Sequence, residues 1–302
     1  ARAALRAHER AARRAGDDAM TPLATRVATA VVLVPCVLAA LFLLPPAGWA
    51  VATLAVVLVA ADEWARLASF AGGRRLAFVG GLAAIGGLLL ASSAPVLADG
   101  WPHAILVGAC GAATLFWLAV APPWVFRRWP ARSPVALTVA GWVVLAGAWV
   151  ALVELQARSP WIVLAAMAIV WIADTAAYFA GRAFGRRKLA PLVSPGKTWE
   201  GVFGGLAAVA IYAAALVPFG QAAGYRGAAG PLAVGAWIAF ALALASLSVV
   251  GDLFESMIKR DLGVKDMGSV LPSHGGLLDR LDAFLFTLPA GYYVLKMVGL
   301  IA

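Results

Sequence analysis

PWIVLAAMAIVWIADTAAYFAG, residues 160–181, decides the fold. It holds one charged side chain, Asp174, and is followed at once by Arg182, Arg186, Arg187 and Lys188. A helix needs about 20 apolar residues to cross roughly 30 Å of hydrocarbon, so this run reads as a membrane-spanning helix. Its basic end is the one retained on the cytoplasmic side. Working outward, comparable runs recur at 27–44, 50–67, 76–97, 104–125, 135–155, 200–218, 231–252 and 282–301, giving nine spans with 160–181 as the sixth. Val and Ile are common in them, but a lipid-facing barrel would need short alternating segments instead.

Composition agrees with the bilayer as solvent. Of 302 residues 63% are hydrophobic and 13% charged, and the mean hydropathy is +0.89; such a chain has too little polar surface to clothe a water-soluble globule. The expected fold is therefore an all-α integral membrane protein, a polytopic bundle of about nine transmembrane helices. With the N-terminus cytoplasmic and the C-terminus periplasmic, every Lys and Arg except Arg158, Arg226 and Lys296 falls in an inner segment. A miscounted middle span would destroy that asymmetry. The net charge of +9 then reflects topology and anionic headgroups, and nucleic acid is not needed as a partner. Cys36 and Cys110 both lie inside apolar spans, which points to core packing and away from a disulfide or zinc.

Three regions follow. Residues 1–26 form a basic cytoplasmic segment, 27–155 a membrane half with spans 1–5, and 156–302 a second half with spans 6–9. Glu9, Asp17 and Asp18 ahead of the first span argue against a cleaved signal peptide. The first membrane half carries few internal charges, chiefly Asp62, Glu63 and Glu154, whereas polar residues gather after Trp171. Chemistry is expected in the second half.

Its densest stretch is DLFESMIKRDLGVKDMGSVLPSHGGLLDRLD, residues 252–282. A charged side chain at mid-helix costs about 2.5–3.5 kcal/mol on insertion scales, so ionisable clusters against hydrocarbon usually serve a site. Asp252, Glu255, Ser256 and Lys259 share one face of the eighth helix, and Asp279 and Asp282 share a face at the start of the ninth. Between them Gly275 and Gly276 allow close backbone approach and offer N–H groups to an anion. Oxygen ligands from two helices beside such a loop suit Mg²⁺ carrying a nucleoside triphosphate. The bland alternative is a solvated inner loop whose acids pair with Lys259, Arg260, Lys265 and Arg280. A second polar island, Ser194–Gly201, opens the seventh span and sets Lys197 at a helix N-terminus, where phosphate is favoured; it lacks Walker spacing, and a topological anchor is the other reading. Asp174 reads as a buried carboxylate with either a structural hydrogen bond or a substrate or metal role.

The run Ser256-x-x-Lys259-Arg260-x-x-x-x-Lys265-Asp266-x-Gly268-x-x-Leu271-Pro272-x-His274-Gly275-Gly276-x-x-Asp279-Arg280-x-Asp282 resembles the signature of the phosphatidate cytidylyltransferases throughout. Ser194–Gly201 and Asp62-Glu63-Trp64 also look like features of that family. The resemblance implies a multi-pass enzyme of the bacterial inner membrane, a homodimer, that joins CTP and phosphatidic acid into CDP-diacylglycerol and pyrophosphate at a site facing the cytoplasm. By similarity, Asp252 and Asp279 are the metal ligands with Ser256 and Asp282 in support, for Mg²⁺ and room for a second cation, K⁺ or another divalent ion. The resemblance gives catalytic roles to Asp252, Asp279, Lys259, Arg260 and His274. It gives the phosphates of CTP or lipid to Ser194, Lys197, Thr198, Lys265, Gly275 and Gly276, with Asp174 in the same group. His274 either donates to a phosphate or stabilises its loop, and Asp266 is either a further acid of the site or the partner of Lys265.

Two other readings compete. A CTP-dependent lipid kinase would release CDP where the favoured enzyme releases pyrophosphate, and the long C-terminal signature argues against it. A secondary transporter would place its acids near the midplane of repeated halves, whereas here they cluster at one face and the halves differ.

Overall fold

Proline marks where the helices begin. The computed structural model describes residues 22–93, 100–130, 133–222, 231–264, 276–278 and 288–292. Five of its helices open on Pro: α1 (Pro22–Leu43), α2 (Pro46–Leu67), α6 (Pro134–Arg158), α7 (Pro160–Phe184) and α9 (Pro231–Asp261). At the first helical position the missing N–H would have had no partner and the fixed φ is already helical. Ser133 and Ser159 complete two of these starts by accepting the N–H of Ala136 and Trp161. The remaining helices are α3 (Gly72–Ser93), α4 (His103–Leu115), α5 (Ala121–Arg127) and α8 (Trp199–Ala222).

Between α4 and α5 the helix widens into a π turn, Phe116–Val120, closed by the Ala121 N–H on the Phe116 carbonyl. Pro122 and Pro123 explain it, since neither can donate to the carbonyl four residues back. Among the described residues six helical stretches are long and apolar enough to cross a bilayer: Gly72–Ser93, His103–Arg127, Pro134–Arg158, Pro160–Phe184, Trp199–Gly220 and Val234–Asp261. These match the expected third to eighth spans. The first two expected spans are helical as α1 and α2; of the ninth, 282–301, only 288–292 lie among the described residues, and they are helical.

The bundle is chained by neighbour packing. α2 lies against α3 and α6, α4 against α6, α6 against α7, α7 against α8, and α9 against both α8 and α5. Large apolar side chains such as Val31, Leu43, Leu76, Leu88, Leu115, Ile211 and Phe219 face outward, the pattern of a surface solvated by lipid. Cys110 is buried as expected, but Cys36 is exposed on α1 and packs no core. Among the described residues the only strands form a two-stranded antiparallel hairpin, β1 (Lys188–Ala190) with β2 (Ser194–Thr198), between α7 and α8.

Candidate active site

The polar end of α9 is aimed by an aromatic cage on its opposite side. Phe254, 1% exposed, meets Phe116, Trp117 and Trp124 edge-on with ring centroids 5.7, 5.4 and 5.5 Å away. The π turn and α5 supply all three partners, and edge-to-face contacts are the geometry aromatic quadrupoles prefer. With Phe254 fixed, residues two positions away turn outward from the cage. Asp252 and Ser256 are half-buried, and the Ser256 hydroxyl donates to Asp252 Oδ1 at 3.3 Å. Glu255 is buried and meets Lys259 Nζ at 2.7 Å, one helical turn on. A carboxylate so enclosed is tolerable because its charge is paired.

The hairpin crosses this helix end. Lys188 is in register with Thr198 and Ala190 with Ser194, and the Trp199 N–H extends the ladder to the Arg187 carbonyl at 2.9 Å. Both oxygens of Glu200 accept the Arg187 N–H at 3.2 Å. From this frame Lys197 Nζ forms an ion pair with Asp252 Oδ2. Arg260 returns the link, donating from Nε to the Val193 carbonyl in the hairpin turn. Two islands more than fifty residues apart in sequence are thus tied together twice.

What lets the hairpin sit there is a seam of small residues between α7 and α8. A Cβ on Gly204 would stand 2.3 Å from that of Ala180, and one on Gly205 would stand 2.8 Å from the Ala173 carbonyl. Only glycine permits this approach. Thr198 lies at the head of the seam, buried, its hydroxyl accepting the Gly201 N–H at 3.2 Å and standing close to Gly181 and Gly185.

A third element reaches the same end of the bundle from the far half of the chain. Glu63, 1% exposed near the C-terminus of α2, accepts the Leu277 N–H at 3.0 Å and the Leu278 N–H at 2.7 Å. Its neighbours hold α2 in place: Trp64 donates to the Leu137 carbonyl at 3.0 Å, and Asp62 pairs with Arg66 and Arg75 on the outer side.

The structure therefore gathers Asp252, Ser256, Lys197, Lys259 and Arg260 around the end of α9. Ser194 is half-buried at the start of β2, opposite Ala190. Lys197 lies two residues ahead of α8, in the strand and not in a simple turn. Asp174 needs correction: expected to be buried, it is exposed on α7, on the same face as Tyr178, whose hydroxyl accepts from Arg182 at 3.2 Å. An i, i+4 polar ladder explains how a carboxylate is accommodated there. Gly276 is buried beside Leu277. Lys265, Asp266, His274, Gly275, Asp279 and Asp282 lie outside the described residues.

Among the described residues no three acidic, His or Cys side chains converge on one point. The hard oxygen donors at hand are the Asp252 carboxylate and the Ser256 hydroxyl, a chemistry that fits Mg²⁺, and Asp252 already faces a cationic group in Lys197. Sequence reasoning missed the Val193 carbonyl and the job of Glu63. The advance signals for Glu63 were its place in Asp62-Glu63-Trp64, a stretch that resembles the family, and its being the one acid on the buried side of α2.

Fold and site together define a helical membrane protein of the enzyme class, with paired cations and acids gathered at one end of the bundle. The chain matches the profile of the Cytidylyltransferase family over residues 24–298, and it belongs to that family. It is 38% identical over 310 residues to the phosphatidate cytidylyltransferase of Pseudomonas aeruginosa, covering 92% of this chain and 98% of the relative. The enzymes of the same name from Haemophilus influenzae and Thermotoga maritima are 47% and 40% identical over 121 and 128 residues, about 41% and 46% of their own lengths.

Proposed function

We propose that this chain is a phosphatidate cytidylyltransferase of the bacterial inner membrane, converting CTP and phosphatidic acid to CDP-diacylglycerol and pyrophosphate. The observation that carries the reading is the Lys197–Asp252 pair, which joins the hairpin to the acidic helix end and so sets a cation beside a carboxylate at one end of the bundle. The relatives' name supplies the substrate class.

In this reaction a phosphate oxygen of the lipid attacks the α-phosphorus of CTP in line, a new P–O bond forms, and the bond to pyrophosphate breaks. A phosphomonoester is already an anion near neutral pH, so no strong base is required. The difficulty is to bring two polyanions together. Lys197 and Lys265 face that task as cations, with Gly275 and Gly276 offering backbone N–H groups. Arg260, donating to the Val193 carbonyl, keeps the helix end and hairpin in register while adding positive potential, and Lys259 is held one turn along α9 by Glu255. Mg²⁺, when bound, supplies charge neutralisation on the phosphate oxygens. Asp252, Ser256, Asp279 and Asp282 are the residues that would hold it, with K⁺ or another divalent ion as a second cation.

The remaining expectations belong to the same proposal: nine spans, a cytoplasmic N-terminus, a periplasmic C-terminus, a cytoplasm-facing site and a homodimer. The gathering of the α2, α7 and α9 C-terminal ends with the α8 start agrees with the alternation that such a topology requires.

Purified protein given cytidine-labelled CTP, phosphatidate and Mg²⁺ should yield a lipid-soluble cytidine product and one pyrophosphate per turnover. Asp252→Ala should lose at least about 10²-fold in rate, the scale of removing a key electrostatic group. Release of CDP with a phosphorylated lipid would overturn the proposal in favour of the kinase.

A further inference from the structure

We infer that Glu63 is a positioning residue for this reaction, acting through the main chain of Leu277 and Leu278 to fix the segment that follows Gly275-Gly276 and leads into Asp279. The inference rests on the function proposed above, but its geometry stands apart from it. Both carboxylate oxygens are engaged, one per N–H, at 3.0 and 2.7 Å, and the side chain is 1% exposed. Leu277 lies in a bend and Leu278 is helical, and N–H groups at such a transition have no helical carbonyl of their own. A carboxylate supplied from α2 satisfies two of them and favours the positive end of the new helix. The hydrogen-bond donors that follow the paired glycines in sequence are therefore turned toward Glu63, which acts on the main chain immediately ahead of Asp279.

A buried acid would be a poor choice if α2 merely needed filling; Leu would pack there without a desolvation cost. The side chain is suited to aligning two N–H groups with a separate oxygen for each, which an apolar group cannot do and an amide, with its single oxygen, cannot do in this geometry. Glu63→Gln keeps the volume but presents one oxygen and one NH₂, so the second N–H meets a donor.

Two measurements on the full-length protein test this. In amide hydrogen exchange without substrate, Glu63→Gln should speed exchange of a peptide containing Leu277 and Leu278 about 10-fold, the effect of one lost hydrogen bond, and leave the middle of α2 unchanged. In turnover, the same variant should lose about 10²-fold in kcat, the scale of a roughly 1 Å misplacement, while KM for CTP moves less than about threefold. Asp62→Asn, next door, should keep the parent kcat. Unchanged exchange overturns the clamp, and a kcat loss matched by the fraction of unfolded protein overturns the positioning role. A parent that makes no cytidine lipid defeats the function proposed above, and with it the catalytic half of this inference, whereas the exchange result still judges the clamp.

Discussion

The two halves of this bundle use the same two kinds of helix contact in different proportion, since the second half also has bridges, Tyr212 to the Ala165 carbonyl and Trp237 to that of Ala213, and the first also has a close glycine approach at Gly147. In the first half, long polar side chains bridge helices: Trp149 donates to the Ala50 carbonyl at 3.0 Å, Trp142 to that of Phe78 at 3.0 Å, and Gln156 to those of Leu41 and Leu44. In the second half, α7 and α8 approach through Gly204, Gly205 and facing alanines with hardly a side chain between them. Enclosure singles out α6 rather than a whole half: 56% of its apolar stretch is buried against 22% for α7 and 17% for α8, while α3 in the first half stands at 22% and α9 in the second at 39%. Lipid tails give apolar helices little reason to associate, so each half needs a specific adhesive. Indole and amide bridges make a rigid platform. The glycine seam keeps the site half thin, so that a hairpin can fold back over the helix ends and still touch α9.

The sharpest way to break this contrast is at the seam. Gly204→Ala places a methyl where 2.3 Å remains, and should cost about 1–3 kcal/mol through overpacking and about tenfold or more in turnover as the hairpin shifts. Gly87→Ala, whose added carbon meets nothing within 4 Å, should be neutral or stabilising by up to about 1 kcal/mol. Thermal unfolding in detergent together with rate reads both; equal behaviour of the two variants would mean that the seam is slack. A smaller effect is expected in the platform. Trp149→Phe removes one bridge and should cost about 0.5–2 kcal/mol, with turnover per folded molecule unchanged; a fall in turnover would mean that the platform reaches the site after all. Smallest is Asp62→Asn, which breaks partly exposed pairs with Arg66 and Arg75 and should cost less than about 1 kcal/mol, measured as a shift that shrinks with added salt.

Much of this was legible in residues. The apolar runs marked eight of the helices, although α9 continues to Asp261, nine residues past the expected end, because Asp252, Ser256 and Lys259 extend it as an amphipathic face. The hairpin was not legible: Ser194-Pro195-Gly196 reads as a turn, and pairing with Lys188–Ala190 is a property of two short segments that carry no strand pattern of their own. The π turn had a signal in Pro122-Pro123 that went unread. An acid within an apolar run reads as buried because it should avoid lipid, yet Asp174 is exposed on α7, four residues from Tyr178 on the same face. For the site, Asp252, Ser256 and Lys197 were visible as types at helical spacing, but which cation met which acid depended on tertiary contacts that spacing does not encode.

The contact between α2 and Leu278 also has a schedule. Glu63 leaves the ribosome 215 residues ahead of that partner, an interval of about 10–40 s at roughly 5–20 residues per second. For that time its carboxylate waits at the membrane boundary, and the tail end of translation is what finally covers it. A chain cut short before residue 277 would keep an acid exposed on an otherwise finished platform, a mark by which incomplete products could be told from complete ones.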